Sequence, residues 1–160
     1  MSNADAKKTI LVIEDDQRIL KALSIRLKHA GYDVVTASDG LQGLKSAVEV
    51  KPDLIISDIW MPSSVGFLVA ERMKTFGLGA IPVIFITGNK KKNLSRLAQE
   101  IGAVAFFEKP FDSEELLDAV AQALNSVQKG TRTALSATGP PKRLERSGHG
   151  SPRSIIDNSK

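Results

Sequence analysis

Between Thr9 and about Val127, short apolar runs alternate with longer stretches in which apolar residues recur at helical spacing. The runs are "TILVI", "DVVTA", "DLIISD", "IPVIFIT" and "AVAFFE", each the length of a strand. After the first run, Ile19, Leu23 and Leu27 recur every fourth residue, as on one helix face. Gly31 in "HAGYD" stops that helix, and "DGLQGLKSAVEV" predicts a second one, closed by "KPD". A third helix is expected from near Gly66 to Phe76. Leu94, Leu97, Ala98 and Ile101 predict a fourth, with those residues on its apolar face. The last helix begins at "DSEELL", where Asp112 or Ser113 can cap and Glu114 and Glu115 suit the positive end of the helix dipole.

Five strands alternating with five helices predict an α/β fold with a doubly wound parallel sheet and helices on both faces. The central runs are apolar throughout, as expected of strands covered on both sides. In such a sheet the carboxyl ends of the strands open onto one crevice. Four runs end on reactive residues: the first on Glu14, Asp15 and Asp16, the third on Asp58, the fourth on Thr87, the fifth on Lys109. Acids, a hydroxyl and an ammonium gathered in one place suit a divalent cation and a phosphoryl group.

The chemistry follows from the residue types. A strand-end carboxylate such as Asp58 can attack phosphorus and form an aspartyl phosphate. Glu14 and Asp15 offer oxygen ligands of the kind magnesium takes, with Asp58 as a third. Carboxylates ~5 Å apart repel by about 3 kcal/mol per pair at an effective dielectric near 20, and a divalent ion turns that repulsion into ligation. Lys109 and Thr87 would address phosphoryl oxygens. Asp16 is expected to cap the first helix.

The segment from about Lys8 to Val127 resembles the receiver domain of bacterial two-component response regulators. The resemblance rests on "LVIEDD", "DLIISDIWMP" followed by Gly66, "PVIFITG" and "FFEKPF", in that order. It implies a flavodoxin-like strand order 2-1-3-4-5 and a receiver domain over 8–127, which leaves a segment 1–7, expected to be disordered, and a basic tail 128–160. It also implies Asp58 as phosphoacceptor, with Mg2+ held by Asp15 directly, Glu14 through water, Asp58, and the backbone carbonyl of Trp60. Thr87 and Lys109 would contact the phosphoryl group, and the Lys109–Pro110 peptide would be cis. A histidine kinase or phosphotransfer protein would donate the phosphoryl group. Thr87 would then be drawn in and Phe106, where a tyrosine is common, would turn inward. The face built from the fourth helix, fifth strand and fifth helix would change for a downstream protein or a phosphorylation-linked dimer. Trp60 and Asn89 flank the acceptor, and their expected role is to limit attacking water and lengthen the phosphorylated lifetime. Such a module is not an enzyme beyond slow self-phosphorylation and autodephosphorylation. An aspartyl-nucleophile phosphatase would want a second Asp at the position Trp60 occupies, and a degenerate binding scaffold would not need the full set of acids, hydroxyl and lysine.

Composition narrows the setting. With 42% hydrophobic and 25% charged residues, the balance is that of a soluble globular protein. No apolar stretch approaches ~20 residues, no secretory signal is visible and there is no cysteine, so a cytoplasmic protein without membrane span, disulfide or thiolate site is expected. The net charge of +4 comes from the end of the chain: residues 128–160 hold seven Lys/Arg against two acids, leaving fifteen against sixteen before them. That segment is rich in Gly, Ser, Thr and Pro with no aromatic residue, and it is expected to be disordered. Lys142, Arg143, Arg146 and Arg153 could touch anionic partners, but the segment is too short and irregular for a DNA-binding output domain. His29 and His149 have no ligand-spaced neighbours, and Lys90, Lys91 and Lys92 read as a solvated run.

Overall fold

A computed structural model describes residues 6–61, 64–90 and 93–129. The strands of the main sheet are β1 (Thr9–Ile13), β2 (Asp33–Ala37), β3 (Leu54–Asp58), β6 (Val83–Thr87) and β7 (Ala105–Glu108). They pair in parallel in the order β2-β1-β3-β6-β7, which in chain order is the expected 2-1-3-4-5. Five helices connect or follow them: α1 (Gln17–His29), α2 (Gly40–Val50), α3 (Gly66–Thr75), α4 (Leu94–Ile101) and α5 (Ser113–Gln128).

Strand alternation sorts the core into two sides. Ile10, Val12, Leu54, Ile56, Ile84, Ile86 and Phe107 face α1 and α5. Leu11, Ile13 and Ile55 face α2 and α3, and Phe85 and Phe106 face α3 and α4. Asp16 caps α1, accepting from the N–H groups of Arg18 and Ile19, and Asp112 caps α5 in the same way through Glu114 and Glu115. Gly31 follows α1 with φ +96°, a conformation that costs glycine little.

Four details depart from the sequence reading. Leu20 replaces Ile19 on the fully buried face of α1, and Ile19 packs at its margin. Leu97 is 40% exposed while Leu94 and Ala98 are buried. At about 100° per residue Leu97 lies at the edge of the stripe centred on Leu94, Ala98 and Ile101. A short antiparallel ribbon, β4 (Trp60–Met61) with β5 (Ser64–Val65), was not foreseen; it folds the chain back after Asp58 so that Gly66 can start α3. Helix α5 runs through Gln128, one residue past the expected domain boundary, with Lys129 as its C-cap. Of the expected disordered ends, residues 1–5 and 130–160 lie outside the described residues, as do Lys91, Lys92, His149 and the tail cations.

Candidate phosphoacceptor site

The carboxyl ends of β1, β3, β6 and β7 deliver the expected side chains to one edge of the sheet. Register does the placing: Ile13 is level with Ser57, Asp58 with Ile86, and Thr87 with Glu108. Glu14 leaves β1 fully buried, Asp58 ends β3 at 4% exposure, and Thr87 ends β6 fully buried. Asp15 is exposed at the rim.

Lys109 ties the acids together. Its Nζ donates to Glu14 Oε2 at 2.7 Å and to Asp58 Oδ2 at 2.8 Å. Asp58 Oδ1 accepts the backbone N–H of Trp60 at 2.8 Å, so both carboxylate oxygens are held. Glu14 Oε1 accepts the N–H of Asp16 at 3.0 Å. Thr87 Oγ1 accepts the N–H of Asn89 at 3.1 Å, which leaves the hydroxyl proton to be donated elsewhere. The Lys109–Pro110 peptide is cis, as the resemblance implies.

Burial pushes the Glu14 carboxyl up from 4.5 to about 7, outweighing the Lys109 hydrogen bond that pulls it down. Burial also works against the Lys109 charge, but the hydrogen bonds and charges of Asp58 and Glu14 carry its pKa above the ordinary lysine value. The charges explain the frustration. Glu14, Asp15 and Asp58 bring three negatives against one ammonium. Oxygens of the three carboxylates lie within 4.8 Å of one another. The donor set is all oxygen and, once Glu14 is ionised, carries an excess of two negative charges, which fits a hard divalent cation such as magnesium.

Glu14 makes the stability of the fold depend on pH. Unfolded, Glu14 ionises near 4.5; folded, near 7. Between those values the folded protein holds a proton the unfolded chain has lost, so this group's contribution falls as pH rises through that window. The loss is on the order of 3 kcal/mol. Denaturant titrations of the metal-free protein at both ends of the window should show the decline, and magnesium added at the upper end should recover it. A flat profile would mean that Glu14 is ionised throughout.

Two residues in the site were not singled out for these roles. Ser57, buried in an otherwise apolar strand, donates its Oγ to the Asp58 carbonyl oxygen at 3.0 Å. The signal was a lone hydroxyl in "LIISD". Gly66 passes so close that a Cβ there would fall 2.4 Å from the Asp58 carbonyl oxygen. Its N–H donates to the Ile59 carbonyl at 2.8 Å, pinning the return of the β4–β5 ribbon against the acceptor.

Trp60 is 52% exposed beside Asp58. Phe106, expected to turn inward, already lies at 7% exposure among Ile59, Ala70, Phe85, Leu94 and Ala98.

The model of the response regulator receiver domain family matches residues 10–121. The chain is 37% identical over 109 residues to the alkaline phosphatase synthesis transcriptional regulatory protein PhoP of Bacillus subtilis, covering 68% of this chain and 45% of that protein. It is 38% identical over 121 residues to the DNA-binding dual master transcriptional regulator RpaA of Synechocystis, covering 75% and 50%. The chain thus spans about half the length of these curated relatives. Among solved structures, a CheY-like receiver domain protein from Methanospirillum hungatei superposes with a TM-score of 0.74 at 26% identity, over 79% of this chain and all of that one. Chemotaxis response regulator CheY4 of Vibrio cholerae gives 0.68 at 28% identity, over 74% and 99%. With the acids, hydroxyl and lysine at one sheet edge and this match over most of the described residues, the chain belongs to the response regulator receiver domain family.

Proposed function

We propose that Asp58 accepts a phosphoryl group from a phosphohistidine on a histidine kinase or phosphotransfer protein. A carboxylate oxygen of Asp58 forms the new bond to phosphorus, the phosphorus–nitrogen bond breaks, and its electron pair stays on the imidazole. The observation that carries this reading is Lys109 bridging Glu14 and Asp58 at the joined strand ends. The ammonium stands where charge develops on the transferring group, and Trp60 N–H holds the other Asp58 oxygen in place. Glu14, Asp15, Asp58 and the Trp60 carbonyl would hold Mg2+, with Glu14 acting through water. When bound, the ion would offset carboxylate charge and polarise phosphoryl oxygens.

Thr87 keeps a proton to donate to a phosphoryl oxygen. Moving toward it would strain the Asn89 N–H bond and so shift the segment leading to α4. That charge change would bias the face of α4, β7 and α5 read by a downstream protein. Because Phe106 is buried with Leu94 and Ala98, its part in the switch would be to transmit packing between β7 and α4. The setting proposed is the cytoplasm. Among the described residues no helix is long and apolar enough to cross a membrane.

The test is intact mass after incubation with acetyl phosphate. A magnesium-dependent adduct of one phosphoryl group is expected, and its absence under every condition would favour a binding scaffold. The same protein tests the shielding role of Trp60 and Asn89. Trp60→Asn should shorten the phosphorylated half-life several-fold by opening a path for water, and an unchanged rate would remove that role.

A further inference from the structure

Charge is distributed differently on the two sides of the sheet. On the far side, each helix mixes signs: Lys45 with Glu49 on α2, Glu71 with Arg72 and Lys74 on α3, Arg96 with Glu100 on α4. Lys45–Glu49 and Arg96–Glu100 pair within their own helices. The near side is segregated. Helix α1 carries Arg18, Lys21, Arg26 and Lys28 and no acid; α5 carries Glu114, Glu115 and Asp118 and no base. All seven are exposed, and both helices pack over one shared core. Yet among the described residues no ion pair joins α1 to α5; only Arg18 is engaged, 3.7 Å from its own cap Asp16.

Helix dipoles explain part of the pattern. Arg26 and Lys28 suit the negative end of α1, and Glu114 and Glu115 the positive end of α5. Lys21 and Asp118 gain nothing from that effect. Both helices start at the carboxyl edge of the sheet, so Lys21 lies about 6 Å and Asp118 about 7 Å along them. The two are level.

We propose that this face is a self-association surface, on which two copies of this chain meet with α1 of each along α5 of the other. A two-fold axis parallel to the helices does this and sets Lys21 opposite Asp118 twice. An axis across the helices would set α1 on α1 and α5 on α5, with like charges facing. The charge pattern therefore selects one arrangement. Ile25, 58% exposed and one turn from Lys21, supplies apolar contact on the same surface of α1. An interface with this much charge at its centre is weak and salt-sensitive.

Sedimentation velocity on the unphosphorylated full chain tests this, over a wide concentration range at low and at high salt. Dimer is expected at low salt and its loss at high salt. Lys21→Glu and Asp118→Lys should each weaken association about tenfold or more, since each reversal strikes two symmetric contacts. The double variant Lys21→Glu/Asp118→Lys should restore it, while Glu71→Lys on the opposite face should change little. These side chains are exposed, so circular dichroism should report an intact fold in each. A monomer at every concentration in low salt, or a double variant that stays monomeric, overturns the proposal.

Discussion

Asp58→Asn should take up no phosphoryl group at any magnesium concentration, while the wild type gains one. The amide nitrogen is no nucleophile, and no other carboxylate in the site is placed to substitute. Glu14 is buried and bonded to both Lys109 and the Asp16 N–H. Asp15 is exposed at the rim, without a comparable hold. The substitution nearly preserves shape, so the fold should survive. One donor–donor contact is unavoidable: if Asn keeps its oxygen toward Trp60 N–H, its NH2 faces the Lys109 ammonium, and flipping it only exchanges the clash. The cost should be about 1–3 kcal/mol in denaturant unfolding. Loss of the Asp58 charge also removes a repulsion that helps keep Glu14 protonated, so the pH window described for Glu14 should move down. A phosphorylated Asp58→Asn protein, seen by intact mass, would reassign the acceptor.

Lys109→Met should be nearly as damaging, by a different route. Methionine fills the volume of the aliphatic stem, but Glu14 and Asp58 then face each other buried with no cation between them. Removing one partner of a buried ion pair costs about 3–5 kcal/mol. Some of that will be recovered by protonation, since the hydrogen bond that lowers the Glu14 pKa is gone and it should rise above 7. Magnesium should recover more of the stability in the variant than in the wild type. It should not recover the chemistry: without the ammonium, phosphoryl uptake from acetyl phosphate should fall by about 10²–10³-fold. Time courses of adduct formation and melts with and without magnesium separate the two effects. A wild-type rate in Lys109→Met would mean that the ammonium is only a structural clamp.

The acids, threonine and lysine were legible because chemistry and position coincide in the sequence. Each ends an apolar run, and a parallel sheet sends all such ends to one edge. The caps Asp16 and Asp112 were legible for a similarly local reason: an acceptor stands just before a helical pattern. What was not legible depends on the chain meeting itself. Trp60 and Asn89 reach Asp58 and Thr87 through backbone N–H groups, which every residue but proline possesses, so their letters do not announce these contacts. The hydrogen bond from Ser57 to the Asp58 carbonyl is local in sequence, yet it matters because Gly66 presses on that same carbonyl from eight residues away. Leu97 has the right period and the wrong phase, which only the placement of α4 decides. Phe106 is found inward because Leu94 and Ala98 close over it, a contact that no pattern within the last strand encodes.

The register of β3, β6 and β7 makes the site a measuring device for chain length. Thr87 and Lys109 reach the edge because Asp58 is level with Ile86, and Glu108 with Thr87. One residue added within β6 would put Ile86 where Thr87 stands; one removed from β7 would bring Pro110 to the place of Lys109. Neither change touches a reactive group, yet each would invert the facing of the strand and silence the chemistry. At the opposite edge, the turn from Gly77 to Ile81 is bound by no such count. Added length there would leave Asp58, Thr87 and Lys109 in step, so insertions and fused segments belong at that end of the molecule.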